Sequence, residues 1–182
     1  MITKAFKCLN AMFFATSGSN LAKSCIKVKS PNGSDFYIGP YFQSIFPSNA
    51  IFQVMMSGAN AGIWVGAGNK AESDSDYSLE SRITSGLTAN TPTATPGYDS
   101  DYNPTMTIDF TLTNTSASEI VVREIGYFQQ AHGSTTLGSA ATSTNIIMLD
   151  RTVLSNPIAI PAGEYAAVRY TLKSIVPASI RP

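Results

Sequence analysis

From Thr105 to Asn114 the chain alternates without a break, with Met106, Ile108, Phe110 and Leu112 on one side and Thr107, Asp109, Thr111 and Thr113 on the other. Successive side chains of a strand point to opposite faces, so this period of two demands a strand with one face in an apolar core and the other in water. Antiparallel sheets tolerate such one-sided burial, whereas parallel sheets are covered on both faces and read as continuous apolar runs. The pattern returns near the C-terminus, where Ala166, Val168, Tyr170 and Leu172 oppose Ala167, Arg169, Thr171 and Lys173. Two such strands constrain the chain to an antiparallel architecture with a polar exterior.

The remaining segments extend this reading. Ile26 to Lys29 and Phe36 to Ile38 flank Ser30-Pro-Asn-Gly-Ser34, and Asn-Gly between apolar runs signals a hairpin. Ile51 to Met56 and Ile63 to Val65 are strand-like, while Gly58, Gly62, Gly66 and Gly68 argue against a long helix here. Ala89 to Pro104 is polar and proline-rich and is expected to be an exposed loop. Thr115-Ser-Ala-Ser118 is expected to turn the chain back into Ile120 to Phe128, pairing that strand with the one before it. A second polar loop runs from Gln129 to Thr144, followed by strands at Ile146 to Leu154 and Pro157 to Ile160 and a turn at Pro161-Ala-Gly-Glu164. Frequent strands with no long helix between them predict an all-β fold, an antiparallel β-sandwich or jelly roll.

Phe6, Leu9, Met12 and Phe13 recur at helical spacing, extended by Phe14 and ended by Gly18. Lys4 to Ala15 has the basic-then-apolar order of a signal peptide, but Asn10 interrupts the apolar run, and the segment is expected to be retained. The organisation that follows is an N-terminal helical arm over residues 1–20 and a single β-sandwich domain over residues 21–182. The arm's apolar face of Phe6, Leu9, Met12, Phe13 and Phe14 is expected to form an assembly interface with a neighbouring subunit, the competing outcome being that it folds back on its own core.

Charge excludes several function classes. Hydrophobic residues make up 43% of the chain and charged ones 13%, where an average domain carries about 25% charged. Twelve basic residues balance twelve acidic ones, so no field draws the chain to nucleic acid or to an anionic membrane. No stretch approaches the ~20 apolar residues that span a bilayer. A weakly charged Ser/Thr/Asn surface is poorly soluble by itself and suits coverage by partners, so a homo-oligomer is expected. Cys8 and Cys25 are too few for a disulfide framework and lack zinc or redox spacing.

A search for chemistry finds no assembled set. His132 is the single histidine, in a polar stretch without an acid or nucleophile beside it, and no Gly-x-Ser-x-Gly elbow occurs. Gly66-Ala-Gly68-Asn-Lys70 has the look of a phosphate loop without its spacing. Asp-Ser-Asp-Tyr occurs at Asp74 to Tyr77 and again at Asp99 to Tyr102, without the further ligands of a calcium loop, and reads as turn chemistry. The expectation is therefore no catalytic residue, no cofactor and no metal. Glu124 and Arg151 sit inside apolar strands, Glu124 in phase with Ile120 and Val122 and Arg151 with Ile147, Leu149 and Val153. They are expected to share a partly buried structural ion pair, because charges survive burial only when paired. Ile125 and Tyr127 support the opposite phase, which would expose Glu124.

Several of these pieces, taken in order, resemble a known group of sequences. Ile63-Trp-Val-Gly-Ala-Gly-Asn-Lys70 is followed by Asp76-Tyr-Ser-Leu79 and Ile83, then by Asn114-Thr-Ser116, Arg123-Glu-Ile-Gly-Tyr-Phe128, Leu149-Asp-Arg-Thr-Val-Leu154 and Ile160-Pro-Ala-Gly-Glu164. The succession resembles bacteriophage virion structural proteins, and Glu124 to Phe128 is similar to the Glu-Val/Ile-Gly-Leu-Phe signature of tail-fibre and related modules, with Tyr127 in place of Leu. The resemblance implies a non-catalytic β-sandwich component of the head, neck or tail, located in the virion and in the host cytoplasm during assembly, with other virion proteins as partners. The alternative is a carbohydrate-binding or adhesin module, for which Trp64, Tyr98 and Tyr102 are the candidate aromatics, Trp64 being better placed for core packing between Ile63 and Val65.

Overall fold

A computed structural model describes residues 26–38, 61–133 and 143–173. The segment carrying Phe6, Leu9, Met12, Phe13 and Phe14 lies outside the described residues, as does Ile51 to Met56. Among the described residues the protein is all-β, with antiparallel sheets and no helix. Its strands are β1 (Ile26–Lys29), β2 (Asp35–Ile38), β3 (Gly62–Gly66), β4 (Leu87–Ala89), β5 (Thr93–Tyr98), β6 (Pro104–Asn114), β7 (Ile120–Gly133), β8 (Ser143–Ile160) and β9 (Tyr165–Lys173).

The hairpin β1–β2 closes through Gly33, whose φ of 85° suits glycine. A second sheet has the order β3-β7-β8. In a third, β6 is central, with β9 along one edge and β4 and β5 end to end along the other. Residues 89–104 are thus not the expected loop. Ladder bonding outweighs composition here because an edge strand needs only one of its sides bonded, and Pro96, which lacks an N–H, is tolerated on such a strand. The polar stretch read from Gln129 also begins later, since Gln129 to Gly133 pair with Ser143 to Ile147.

A further correction concerns Thr115 to Ser118, which does not return the chain beside β6. Among the described strands β7 pairs with β3 and β8 only, so this segment carries the chain from one sheet to another. Buried Asn114 makes the crossing possible. Its Nδ2 donates to the carbonyls of Ser118 (2.7 Å) and Ile160 (2.8 Å), and its Oδ1 accepts from the Ser116 amide and hydroxyl. The side chain supplies partners that a hairpin ladder would otherwise provide.

One apolar cluster draws Ile63, Val65, Ile125, Tyr127, Ile147 and Leu149 from the β3-β7-β8 sheet together with Leu87, Ile108, Phe110, Leu112, Val168 and Tyr170 from the β6-centred sheet, and it takes in Val28 and Phe36 of the hairpin. A second, smaller cluster of Ala61, Trp64, Leu79, Phe128, Ile146 and Met148 lies on the other face of β3-β7-β8. That sheet is therefore apolar on both faces, which accounts for the near-continuous burial of β3 and of β7 from Glu124 onward.

Two irregularities in the β7–β8 ladder decide which side chain reaches which cluster. Val122 pairs with Ile158 but Glu124 with Val153, so residues 154–157 of β8 bulge out opposite Arg123. Tyr127 pairs with Asp150 but Phe128 with Met148, which leaves Leu149 as an extra residue. Each bulge shifts the pleat, so side chains beyond it no longer follow the phase before it. Ser155-Asn-Pro157 interrupts one long strand rather than separating two.

Candidate functional site: a buried ion cluster beneath the 67–82 loop

Between β3 and β4 the chain runs out over the outer face of the β3-β7-β8 sheet and returns. Its ends are tied together, with Ala67 N–H donating to Ser81 O (2.7 Å) and Ile83 N–H to Val65 O (2.9 Å), and Gly66 bridges to Arg82. Loops carry backbone groups that must find partners when they cover a sheet. Glu124 supplies them here. One carboxylate oxygen accepts from the amides of Gly68 (3.2 Å) and Ser81 (2.8 Å), and the other accepts from the amide of Glu80 (3.1 Å) and from Arg151 Nε (2.8 Å).

Arg151 completes the cluster. Its Nη1 donates to Asp76 (2.8 Å) and its Nη2 to the Lys70 carbonyl (3.1 Å), while Asp76 also accepts from the Ser73 amide (2.9 Å). Glu124 is fully buried and Arg151 is 2% exposed. Burial is the largest single influence on the guanidinium and opposes its charge, but hydrogen bonds and attraction from Asp76 and Glu124 outweigh it and hold Arg151 above its ordinary pKa. Glu72 accepts from Val153 N–H (2.7 Å), which pins the loop to β8 as well.

Strict alternation would place Arg151 with Ile147 and Leu149 in the larger apolar cluster. Because of the bulge at Leu149, Asp150 takes that face instead, accepting a hydrogen bond from the Tyr170 hydroxyl of β9, and Arg151 turns outward beneath the loop. Burial and the nearby Asp150 carboxylate push the Tyr170 hydroxyl well above its ordinary pKa. Glu124, displaced by the other bulge from the face of Val122, meets Arg151 there. The two residues named in the sequence are thus brought together on the face opposite to Ile147 and Leu149; Glu124 follows the alternative phase set by Ile125 and Tyr127, yet it is buried rather than exposed because the loop covers that face.

The glycines of the Gly-x-Gly segment are fixed by this contact. A Cβ on Gly66 would stand 2.4 Å from a Glu124 carboxylate oxygen and 2.6 Å from Ser81 O, and one on Gly68 would stand 2.6 Å from the same carboxylate oxygen. The resemblance to a phosphate loop therefore has a physical basis, since close-packed backbone amides do face an anion. That anion is the protein's own, and the next amides, of Asn69 and Lys70, both donate to Glu80 (2.7 Å each). The Lys70 amide, the largest influence, and the Asn69 amide hold the Glu80 carboxyl below the usual range.

Beneath the same loop Trp64 stacks on Phe128, with centroids 3.9 Å apart and planes at 19°, and the Arg82 guanidinium lies 3.5 Å from the Trp64 ring centre. Gly126 leaves room for this packing, because a Cβ there would approach Phe128 to 2.7 Å and Leu79 to 2.9 Å. Trp64 is 3% exposed and is a packing residue. Tyr98, at the end of β5, and Tyr102, on the turn that follows, are by contrast 74% and 59% exposed.

Sequence reasoning missed the role of Asp76, read there as turn chemistry, and did not single out Glu72 or Glu80. The Asp-Ser-Asp-Tyr stretch was the visible signal of Asp76, and only the loop's path shows what Asp76 faces. His132 lies on β7 opposite Thr144 rather than in a loop. Among the described residues, no group of three or more His, Cys, Asp or Glu is arranged to hold a metal ion. No family model, curated protein or solved structure matches the chain.

Proposed function

We propose that the chain is a non-catalytic structural subunit of a bacteriophage virion, a β-sandwich head-decoration, neck or tail component that acts through protein–protein assembly. One observation carries the reading. Residues from the separated segments that bear the resemblance, Gly68, Asp76, Leu79, Glu124, Phe128 and Arg151, come together on one face of the β3-β7-β8 sheet, so part of each motif belongs to one physical unit. The unit's chemistry is architectural. The carboxylate oxygens of Glu124 bind backbone amides and Arg151, and the guanidinium binds two acids and a carbonyl, an arrangement that fixes a loop on a sheet. Rigid loops of this kind suit a particle whose subunits must present one shape repeatedly.

The test is mass spectrometry of purified phage particles whose genome encodes the chain, with an antibody to the chain for localisation. The expected result is the chain at fixed stoichiometry, removed with the particles by density-gradient centrifugation. Its absence from particles, together with a soluble pool in the lysate, would overturn the reading.

A further inference from the structure

Asn32, at the tip of the β1–β2 hairpin, differs from the other described asparagines in what its side-chain carboxamide can react with. It is the only asparagine in the chain that glycine follows, and it is exposed. Asn103 and Asn156 precede prolines, whose nitrogens carry no proton to lose. Asn90, Asn114 and Asn145 precede the β-branched residues Thr91, Thr115 and Ile146, which crowd the backbone nitrogen, and Asn114 is fully buried with its carboxamide bonded at both ends. Asn69 precedes Lys70, whose amide is held by the Glu80 carboxylate (2.7 Å).

The turn supplies both an electrophile and a nucleophile. Asn32 Oδ1 accepts from the Ser30 hydroxyl (2.5 Å) and from the Ser34 amide (3.0 Å). These donors draw electron density from the side-chain carbonyl carbon and stabilise negative charge that develops on its oxygen. The next backbone nitrogen is that of Gly33, which has no Cβ to crowd it. In the closed turn its N–H donates to Ser30 O (2.8 Å), so this bond opens before the nitrogen attacks. Opening costs little here. β1 and β2 pair with each other alone among the described strands, a two-stranded hairpin is weakly held, and the tip lies beyond the buried Val28 and Phe36.

We propose that Asn32 is a site of spontaneous deamidation, a modification that needs no reagent but water. The Gly33 nitrogen attacks the Asn32 side-chain carbonyl carbon. As that C–N bond forms, the bond to Nδ2 breaks, and Nδ2 leaves as ammonia with the proton lost by Gly33. Water then opens the cyclic imide, giving aspartate if it adds to the side-chain carbonyl and isoaspartate if it adds to the main-chain carbonyl. Aspartate fits the closed turn, because its carboxylate accepts from the same Ser30 hydroxyl and Ser34 amide in charge-assisted bonds. Lys29 Nζ, which donates to Gly33 O (3.3 Å), sets a cation beside it. Isoaspartate puts an extra methylene into the main chain and disrupts the closure between Ser30 and Ser34. A chain with no formal net charge thereby gains a negative charge at an exposed tip without an enzyme. Nothing in this chemistry depends on the virion role.

The test incubates the folded full chain in mildly alkaline, heavy-oxygen water and follows each asparagine by peptide mass spectrometry, with fragmentation to place the change. Asn32 should take up the amide-to-acid mass change and the oxygen label at least about tenfold faster than any other described asparagine, a barrier lower by about 1.4 kcal/mol. Its peptide should resolve into aspartate and isoaspartate forms. Asn32→Asp, the first of these products, should melt no lower than the parent, since the turn keeps its bonds. Asn32 intact in the folded chain while it converts in the urea-unfolded chain would overturn the proposal, because the closed turn would then block the reaction. Earlier conversion of another described asparagine would overturn it as well, and a lower melting temperature of Asn32→Asp would refute the fit of the product to the turn.

Discussion

Glu124→Ala is the perturbation that most directly probes the clamp. It leaves Arg151 charged and 2% exposed, with Asp76 as its remaining acid, and it strips an acceptor from the amides of Gly68, Glu80 and Ser81. Removing one partner of a buried ion pair costs about 3–5 kcal/mol. Each amide left unsatisfied adds about 1–3 kcal/mol unless it reaches water. Residues 67–82 can lift from the sheet and hydrate their amides, so the ion-pair figure sets the scale, and about 4 kcal/mol is expected. A domain with roughly 5–15 kcal/mol of total stability would lose a large share of it. Urea unfolding of the parent, Glu124→Ala, Arg151→Ala and the double variant would measure this. Because the second substitution removes the stranded charge, the double variant should lose about 2–3 kcal/mol less than the sum of the singles. Hydrogen exchange should show loss of protection at Gly68, Glu80 and Ser81 before global unfolding. A loss under about 1 kcal/mol with those amides still protected would refute the account, since no buried charge would then have been stranded.

Gly68→Ala should destabilise the protein by about 1–3 kcal/mol, as overpacking does, because its Cβ would meet the Glu124 carboxylate at 2.6 Å and the Glu80 Cβ at 2.5 Å; thermal melting checks this. Gly163→Ala is the control, with nothing near its Cβ but a φ of +77°, so only a backbone cost of about 1–2 kcal/mol is expected. The pH profile should be two-sided. Asp35, Asp99 and Asp109 are held below the usual carboxylate range, chiefly by side-chain hydrogen bonds from Lys27, Lys173 and Arg169 respectively. The stability they contribute is present above the ordinary carboxylate pKa and is lost as pH falls through the lowered values. Tyr127 and Tyr170 are pushed up, mainly by burial, so stability should also fall as pH rises above about 10, where the unfolded chain releases protons that the folded chain retains. Melting temperature recorded from pH 2 to 11 should therefore show a plateau bounded on both sides, and a plateau extending unbroken past pH 10 would count against the buried-hydroxyl argument.

The sequence by itself determined those strands whose signal is local. Alternation in β6 and β9 specifies which side chains face the core, because a one-residue slip would turn every one of them into water, and the hairpin β1–β2 is written in its Asn-Gly turn. Glu124 and Arg151 were legible as a pair because two charges inside apolar strands have few other ways to be buried. Tertiary structure decided the rest. Thr93 to Tyr98 became an edge strand because β6 had an open side to bond it, which no composition of prolines and threonines reveals. Thr115 to Ser118 crosses between sheets because Asn114 finds acceptors at Ser118 and Ile160, the latter 46 residues further along the chain. The bulges opposite Arg123 and at Leu149 inverted the phase of both clamp residues, and a bulge is fixed by what the partner strand and the covering loop can accommodate. Asp76, Glu72 and Glu80 joined the site for the same reason: a loop's path over a sheet is set by the contacts it makes there, and those contacts lie far away in sequence.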